Sequence, residues 1–329
     1  MLAEMITRLF ERSLDDAAQA AAREGKWLPA LWAEVEEMGL PLALLTEDQG
    51  GFGLSFAEAG ETLRLLGSHA MPLPVAETMA ANQLFAAAGL PLAAGAAGLA
   101  RADDLALQNG RLTGTVTRVA WGGQLDCLAL AVGDKLYRVP RAGWSTAEAG
   151  TAANFHPRPS LAVDWVIDSE AALPWCPLAS GATVRAFQIA GALEAALDMT
   201  LSHTATRVQF GKPLQKNQVV QHELAKLAGE LACATAAADL AGEALARRDV
   251  LGVAAGTLRA REAATAGAAI ATQMHGAIGF TREHRLHLYT TALWAWRDEF
   301  GGQVSWAKLL GSAALAAGGP GYWPMVTAL

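Results

Sequence analysis

Hydrophobic residues recur at helical spacing near the N-terminus. Leu31, Val35 and Met38 fall on one helix face, and Gly39 followed by Pro41 is a typical stop signal. The segment TEDQGGFGLSFAEA then places a glycine-rich turn before another helical run, which Ser55 is predicted to cap, with Glu58 as the other half of a capping box. We therefore predict that the chain begins with a helical domain.

The middle of the chain has a different pattern, from about Asp103 to Leu178. Short β-rich runs such as LTGTVTRVAWGG, DCLALAV and KLYRV alternate or are continuously apolar, and Gly or Asp residues separate them. This pattern predicts a small antiparallel β unit inserted between two helical ones.

Helical spacing returns after Gly181, and frequent alanines at the contact positions allow the helix axes to approach closely. The last stretch, LLGSAALAAGGPGYWPMVTAL, contains a Gly/Pro break and is predicted to be a loose tail. The predicted helices cover residues 183–206, 215–248, 250–274 and 283–298. The predicted α+β fold has an N-terminal helical domain (1–102), a middle β domain (103–180) and a C-terminal four-helix bundle (181–329).

Composition narrows the function classes. The chain has 32 acidic and 25 basic residues, a formal charge of −7, and no basic run that could follow a nucleic-acid backbone. No stretch reaches the about 18 apolar residues of a membrane span, so we expect a soluble, cytoplasmic protein. Cys127, Cys176 and Cys233 lack metal-ligand spacing, and we expect buried thiols in a reducing compartment.

Two unusual stretches carry candidate chemistry. The first is TRVQFGKPLQKNQVVQHEL and the second is ATQMHGAIGFTREHRLHLY. They resemble, in order, the Arg-x-x-Phe-Gly-x-x-Leu, Gln-x-x-Gln and Gln-x-x-Gly-x-x-Gly-Phe segments of the acyl-CoA dehydrogenase family. The matching residues are Arg207, Phe210, Gly211, Leu214, Gln218, Gln221, Gln273, Gly276, Gly279 and Phe280.

The resemblance implies an acyl-CoA dehydrogenase-like fold, an acyl-CoA substrate and FAD held between subunits, with an electron-transferring flavoprotein as acceptor. Ala277 stands where the family usually has a second glycine. The residues that would bind FAD are Arg207, Gln209, Phe210, Gln218, Gln273, Gly276, Ala277 and Gly279.

Several of these residues also have ordinary structural interpretations. Arg207 at a helix end could bond its own carbonyls, and Gln218 and Gln221 could lie on a solvated helix face. His275 could be a packed or capping histidine. His284 and His287, beside Glu283, have a possible metal-ligand spacing. With no third ligand nearby in sequence, we predict no metal there and a polar helix face instead.

Dehydrogenation of an acyl thioester needs a carboxylate base. In most of the family this is a Glu about twenty residues after the Gly-Phe pair, a position that falls on Phe300 here. Glu299 is one residue out of register and Asp298 two, and one residue turns a helical side chain by roughly 100°. We take Glu299 as the candidate base and Asp298 as the less favoured one.

The short chain, its trimmed middle domain and the displaced base resemble the smaller subunits of heteromeric acyl-CoA dehydrogenases of bacterial steroid side-chain breakdown. Two hypotheses follow. In the first, the chain oxidises an acyl-CoA itself, within a homo-oligomer or a heteromer with a second acyl-CoA dehydrogenase-like subunit. In the second, it is a non-catalytic partner that completes the FAD site of a catalytic homologue through Arg207 and Gln273.

Overall fold

The computed structural model describes residues 2–54, 56–209 and 211–328. Packing groups the chain into two compact units, each described separately below. The first unit comprises Met1–Ala59 and Met71–Val184, and the second comprises Gly60–Ala70 and Arg185–Leu329. The division into three domains, at residues 102 and 180, therefore stays a prediction.

The N-terminal half begins with helices. They are α1 (Leu2–Ser13), α2 (Asp16–Arg23), α3 (Pro29–Glu37), α4 (Phe56–Ser68) and α5 (Val75–Ala88). The predicted face of α3 is confirmed by the burial of Leu31 and Val35, and the left-handed Gly39 (φ 76°) follows the helix end. Ser55, the predicted cap of the next helix, lies outside the described residues.

Eight short strands form two four-stranded sheets in the first unit. The strands are β1 (Ala97–Arg101), β2 (Ala106–Gln108), β3 (Arg111–Val116), β4 (Cys127–Val132), β5 (Lys135–Pro140), β6 (Trp144–Glu148), β7 (Ser160–Val166) and β8 (Glu170–Ala172). One sheet has the order β1-β4-β5-β8 and the other β2-β3-β7-β6. All pairs are antiparallel except β1 with β4, which is parallel in the register Ala97 to Cys127.

Strand β1 begins earlier than the predicted start of the β region near Asp103. Its Ala-Gly-Leu-Ala-Arg sequence has no β-branched residue, so local propensity did not indicate a strand. Tertiary contacts favour it instead: the Thr78 hydroxyl on α5 accepts a hydrogen bond from the Ala97 amide at 3.0 Å, and Ala97 is fully buried. Small residues allow this strand to lie against the helix.

The second unit is mainly helical and contains most of α4. The elements that follow β8 in the chain are α6 (Pro177–Thr206), the hairpin strands β9 (Val208–Gln209) and β10 (Lys212–Pro213), α7 (Gln218–Ala246), α8 (Val250–His275), α9 (Leu286–Arg297) and α10 (Gly302–Thr327). The four predicted helices are confirmed within a few residues at each end. The predicted Gly/Pro break is confirmed, because Gly318 (φ 64°, ψ −178°) is non-helical and separates two helical segments of α10. The prediction of a loose tail was wrong, because the chain is helical on both sides of this break.

Glycine and alanine bring these helices into close contact, as their frequency predicts. A Cβ at Gly256 on α8 would lie 2.4 Å from the Ala237 carbonyl oxygen on α7. A Cβ at Gly191 on α6 would lie 1.9 Å from the Arg64 carbonyl oxygen on α4. Only glycine permits these approaches.

The three cysteines are free thiols in different environments. Cys127 is buried, Cys176 is half-buried and Cys233 is exposed, so the expectation of buried thiols holds only for Cys127. Among the described residues, the helices include none long and apolar enough to cross a lipid bilayer.

Candidate functional site

The first predicted FAD segment is the connection between α6 and α7. Helix α6 ends at Thr206, and the strands β9 and β10 form a tight hairpin in which Gly211 is left-handed (φ 78°). Arg207 and Gln209 are both exposed here. Phe210 lies outside the described residues, so its predicted role stays a prediction.

The second segment follows α8 directly. Gly276 has φ 64° and ψ −140°, a conformation open to glycine but strained for other residues, and a Cβ there would meet no atom within 4 Å. Gln273 and Ala277 are exposed, whereas Gly279 is buried and a Cβ there would lie 3.0 Å from the Thr272 carbonyl oxygen. Backbone and side-chain polar groups are therefore accessible along this turn.

Three histidines bring the two segments together. His203, one helical turn before Arg207, stacks on His275 with ring centroids 4.5 Å apart, and His284 lies 4.6 Å from His275. The ends of α6 and α8 therefore meet at the cluster formed by His203, His275 and His284. The sequence did not predict this cluster, because His203 belongs to neither motif segment and no local pattern indicates the pairing.

The cluster favours neutral imidazole rings. Burial, more than the neighbouring histidines, lowers the pKa of His275 to about 4, although the contact of its Nδ1 with the Ala271 carbonyl opposes this shift. The pKa of His203 is lowered by burial, then by the charges of His284 and Arg207.

Two observations indicate that the two segments could hold a dinucleotide. Among the described residues no carboxylate pairs with the exposed Arg207 guanidinium, which leaves its planar fork open to a pyrophosphate. The open space at Gly276 allows a ligand to approach the main chain, and the exposed Gln273 lies in the preceding turn of helix. These residues would hold FAD, and their individual roles stay predictions.

Gln218 and Gln221 occupy the first turn of α7. Asn217 caps this helix by accepting a hydrogen bond from the Val219 amide at 3.1 Å. Gln218 is exposed, and the Gln221 side chain donates to the Gln215 carbonyl at 2.9 Å. Gln221 therefore has a structural task, while Gln218 remains available to a ligand or a neighbouring subunit.

Glu299, the predicted base, lies in a different environment. Its carboxylate accepts a hydrogen bond from Nε of Arg185 at 2.7 Å, and both side chains are only 5% exposed. The Arg185 guanidinium also contacts Gln188 and lies over the rings of Trp296 and Phe300. The carboxylate is thus held in a buried ion pair.

Arg261 on α8 completes this buried group. Its Nη2 donates to the Glu299 carbonyl oxygen at 2.6 Å, and burial lowers the pKa of its guanidinium to about 10. Asp298, the less favoured candidate base, is exposed and pairs with Arg297 at 3.1 Å. Sequence reasoning identified Glu299 but not its distant partners Arg185 and Arg261.

The cluster also changes the interpretation of His284. Helix α9 begins at Leu286, so His284 precedes the helix, and its two close neighbours come from other helices. Nitrogens of His203, His275 and His284 lie within 4.8 Å of one another. The sequence interpretation of His284 considered only residues nearby in sequence, whereas the structure brings the imidazoles of His203 and His275 beside it.

Comparison with known proteins gives the family. Residues 175–314 match the model of the acyl-CoA dehydrogenase C-terminal domain. The chain is 30% identical over 296 residues to acyl-CoA dehydrogenase IpdE2 of Mycobacterium tuberculosis, covering 88% of both chains. Acyl-CoA dehydrogenase IpdE2 of Mycolicibacterium smegmatis is 28% identical, with 88% of this chain and 90% of the relative covered.

Solved structures share the fold. The Tcur3481–Tcur3483 steroid ACAD has a TM-score of 0.85 at 22% identity, covering 97% of this chain and 98% of its own. The ChsE4–ChsE5 complex of Mycobacterium tuberculosis has a TM-score of 0.81 at 20% identity and covers 96% of both chains. Together with the two motifs and the fold, these similarities establish that the chain belongs to the acyl-CoA dehydrogenase family.

Proposed function

We propose that this chain is one subunit of an FAD-dependent dehydrogenase that oxidises an acyl-CoA thioester, and that it shares its flavin sites with a second acyl-CoA dehydrogenase-like subunit. Family membership supports the reaction class. Bound FAD would accept the hydride from the β carbon while a carboxylate removes the α proton. The exposed Arg207 and Gln273 would contribute to cofactor binding from this chain.

The environment of Glu299 is the observation that supports a flavin site shared with a second subunit. A general base has to reach the substrate and accept its proton, whereas the Glu299 carboxylate is buried against Arg185 at 2.7 Å. Taking a proton would remove the negative charge that faces the buried Arg185 guanidinium. We therefore assign Glu299 a structural role and place the base on the second subunit.

The structural neighbours support a second subunit as the partner and a steroid-derived acyl-CoA as the substrate. Two structural neighbours are described as a two-component steroid ACAD and a ChsE4–ChsE5 complex, which favours a heteromer and a steroid-derived acyl-CoA for this chain. The family resemblance favours an electron-transferring flavoprotein as the electron acceptor.

The first experiment is the visible spectrum of the purified chain, alone and co-expressed with a neighbouring homologue, before and after anaerobic addition of steroid-derived and straight-chain acyl-CoAs. The proposal predicts a flavin band that is strong only in the co-expressed complex and is bleached by steroid-derived thioesters. A chain that is yellow alone and bleached by an acyl-CoA would be a self-sufficient dehydrogenase.

A double variant tests the base while removing both charges of the Arg185–Glu299 pair together. Replacing both members of a buried ion pair by apolar residues is often neutral or stabilising, so Arg185→Met with Glu299→Leu should preserve folding. The complex carrying this double variant should keep its flavin and its turnover. Loss of turnover with unchanged flavin occupancy and melting temperature would mean that Glu299 is the base.

Arg207→Ala tests the cofactor contact separately. Removing the proposed pyrophosphate partner should lower flavin occupancy after gel filtration, because one charge-assisted bidentate contact is lost. Arg8→Ala, on the exposed surface of α1, is the matched control and should keep full occupancy. Equal occupancy in the two variants would remove Arg207 from the site.

A further inference from the structure

The three-histidine cluster joins three separate parts of the second unit. His203 comes from the last turns of α6, His275 is the last residue of α8, and His284 precedes α9. One ring nitrogen from each lies within 4.8 Å of the others. Such convergence of imidazoles is unusual on a surface that needs only polar side chains.

His275 has the hydrogen bonding of a metal ligand. Its Nδ1 bonds the Ala271 carbonyl oxygen at 2.8 Å, and a carbonyl can only accept, so Nδ1 carries the ring proton. Its Nε2 then has the free lone pair, and within the described part of the chain this buried nitrogen has no hydrogen-bond partner. Metal-binding histidines are typically fixed in this way, by a backbone carbonyl on the opposite nitrogen.

We propose that His203, His275 and His284 bind one divalent transition-metal ion and leave a fourth position open to water or an anion. Zinc sits about 2.0–2.1 Å from imidazole nitrogen, so ligand nitrogens in a tetrahedral site are about 3.3 Å apart. The three nitrogens therefore have to move closer together than 4.8 Å. His203 and His284 are only half-buried, and coordination requires their rings to turn toward His275.

Binding costs one hydrogen bond. Nδ1 of His284 accepts from the Leu286 amide at 3.2 Å, and a neutral imidazole has only one lone-pair nitrogen. Coordination through either nitrogen of this ring therefore releases the amide. The amide belongs to the first residue of α9, where backbone amides lack intrahelical partners and commonly bond water.

The ligand set selects the metal class. Three imidazoles suit zinc, copper, nickel and cobalt, whereas calcium and magnesium require oxygen ligands. The nearby Arg207 charge opposes a cation and limits affinity. Removing that charge should tighten metal binding, which distinguishes this site from the proposed pyrophosphate contact, where the same change weakens binding.

The test uses tag-free full-length protein, co-purified with its partner where it has one, stripped with a chelator and titrated with cobalt(II). We expect one cobalt ion per copy of this chain, visible bands of four-coordinate cobalt, displacement by zinc and a rise in melting temperature. His203→Ala and His284→Ala should each lose more than the about 10–100-fold in affinity that second-shell changes cost. These half-buried positions should tolerate alanine better than His275.

His222→Ala is the matched control, since His222 is exposed on α7 and lies outside the cluster. It should bind cobalt like the unmodified chain, and Arg207→Ala should bind it more tightly. The proposal is overturned if cobalt does not bind stoichiometrically, or if His203→Ala and His284→Ala bind it as tightly as the control. Neither outcome depends on whether the protein binds FAD or turns over an acyl-CoA.

Discussion

Helix α8 contributes to two polar regions with opposite character. Near its middle, Arg261 joins Arg185 and Glu299 in a buried charged group. At its end, His275 leads into the accessible turn at Gly276. We call the buried group of Arg185, Arg261 and Glu299 the closed region, and the accessible turn after His275 the open region.

The closed region keeps its charges satisfied, and the open region leaves polar groups available. A charge removed from water must be paired, whereas an exposed one costs little. Charged residues beside a family motif therefore serve different purposes, and burial with pairing distinguishes them. Glu299 lies near the expected base position yet belongs to the closed region.

The largest expected effect is on stability. Arg185→Ala should lower the free energy of unfolding by about 3–5 kcal/mol, because it leaves the Glu299 carboxylate buried without its main partner. Arg207→Ala should change it by less than about 0.5 kcal/mol, since the side chain is exposed. Urea denaturation followed by circular dichroism measures both, and equal destabilisation would abolish the distinction between the regions.

Packing beside the closed region gives the second test. A Cβ at Gly67 on α4 would lie 2.1 Å from the Gln188 carbonyl oxygen on α6, and Gln188 itself contacts Arg185. Gly67→Ala should therefore cost about 1–3 kcal/mol by overpacking.

The matched control for Gly67→Ala is Gly229→Ala on α7, where a Cβ would meet no atom within 4 Å. It should stabilise the helix by about 0.5–1 kcal/mol, because alanine loses less backbone entropy than glycine. Melting temperatures of the two variants should shift in opposite directions. Shifts of the same sign would mean that the approach of α4 to α6 is not tight.

The smallest effect concerns thiol reactivity. Burial raises the pKa of the Cys127 thiol to about 11, so very little reactive thiolate forms at pH 8, and Cys233 is exposed. Brief alkylation with iodoacetamide, followed by peptide mass spectrometry, should modify Cys233 and leave Cys127 unmodified. Modification of Cys127 at a comparable rate would mean that β4 opens readily.

Local pattern predicted the helices, most of the strands and the two motif segments. Helical periodicity located α6, α7, α8 and α9, because each needs an apolar face. It failed at β1, where alanine and glycine form a strand that pairs with β4 and contacts α5, and in the tail, which is helical on both sides of the non-helical Gly318. The error at β1 reflects local propensity overridden by tertiary context.

The amino-acid sequence by itself determined the family, the α+β fold and the positions of the two motif segments, since these depend on periodicity and motif spacing. Only the tertiary structure decided that Glu299 is paired with Arg185 and that His203 meets His275 and His284. The physical reason is distance along the chain. Partners separated by tens of residues share no local pattern, and only the packing of helices brings them together.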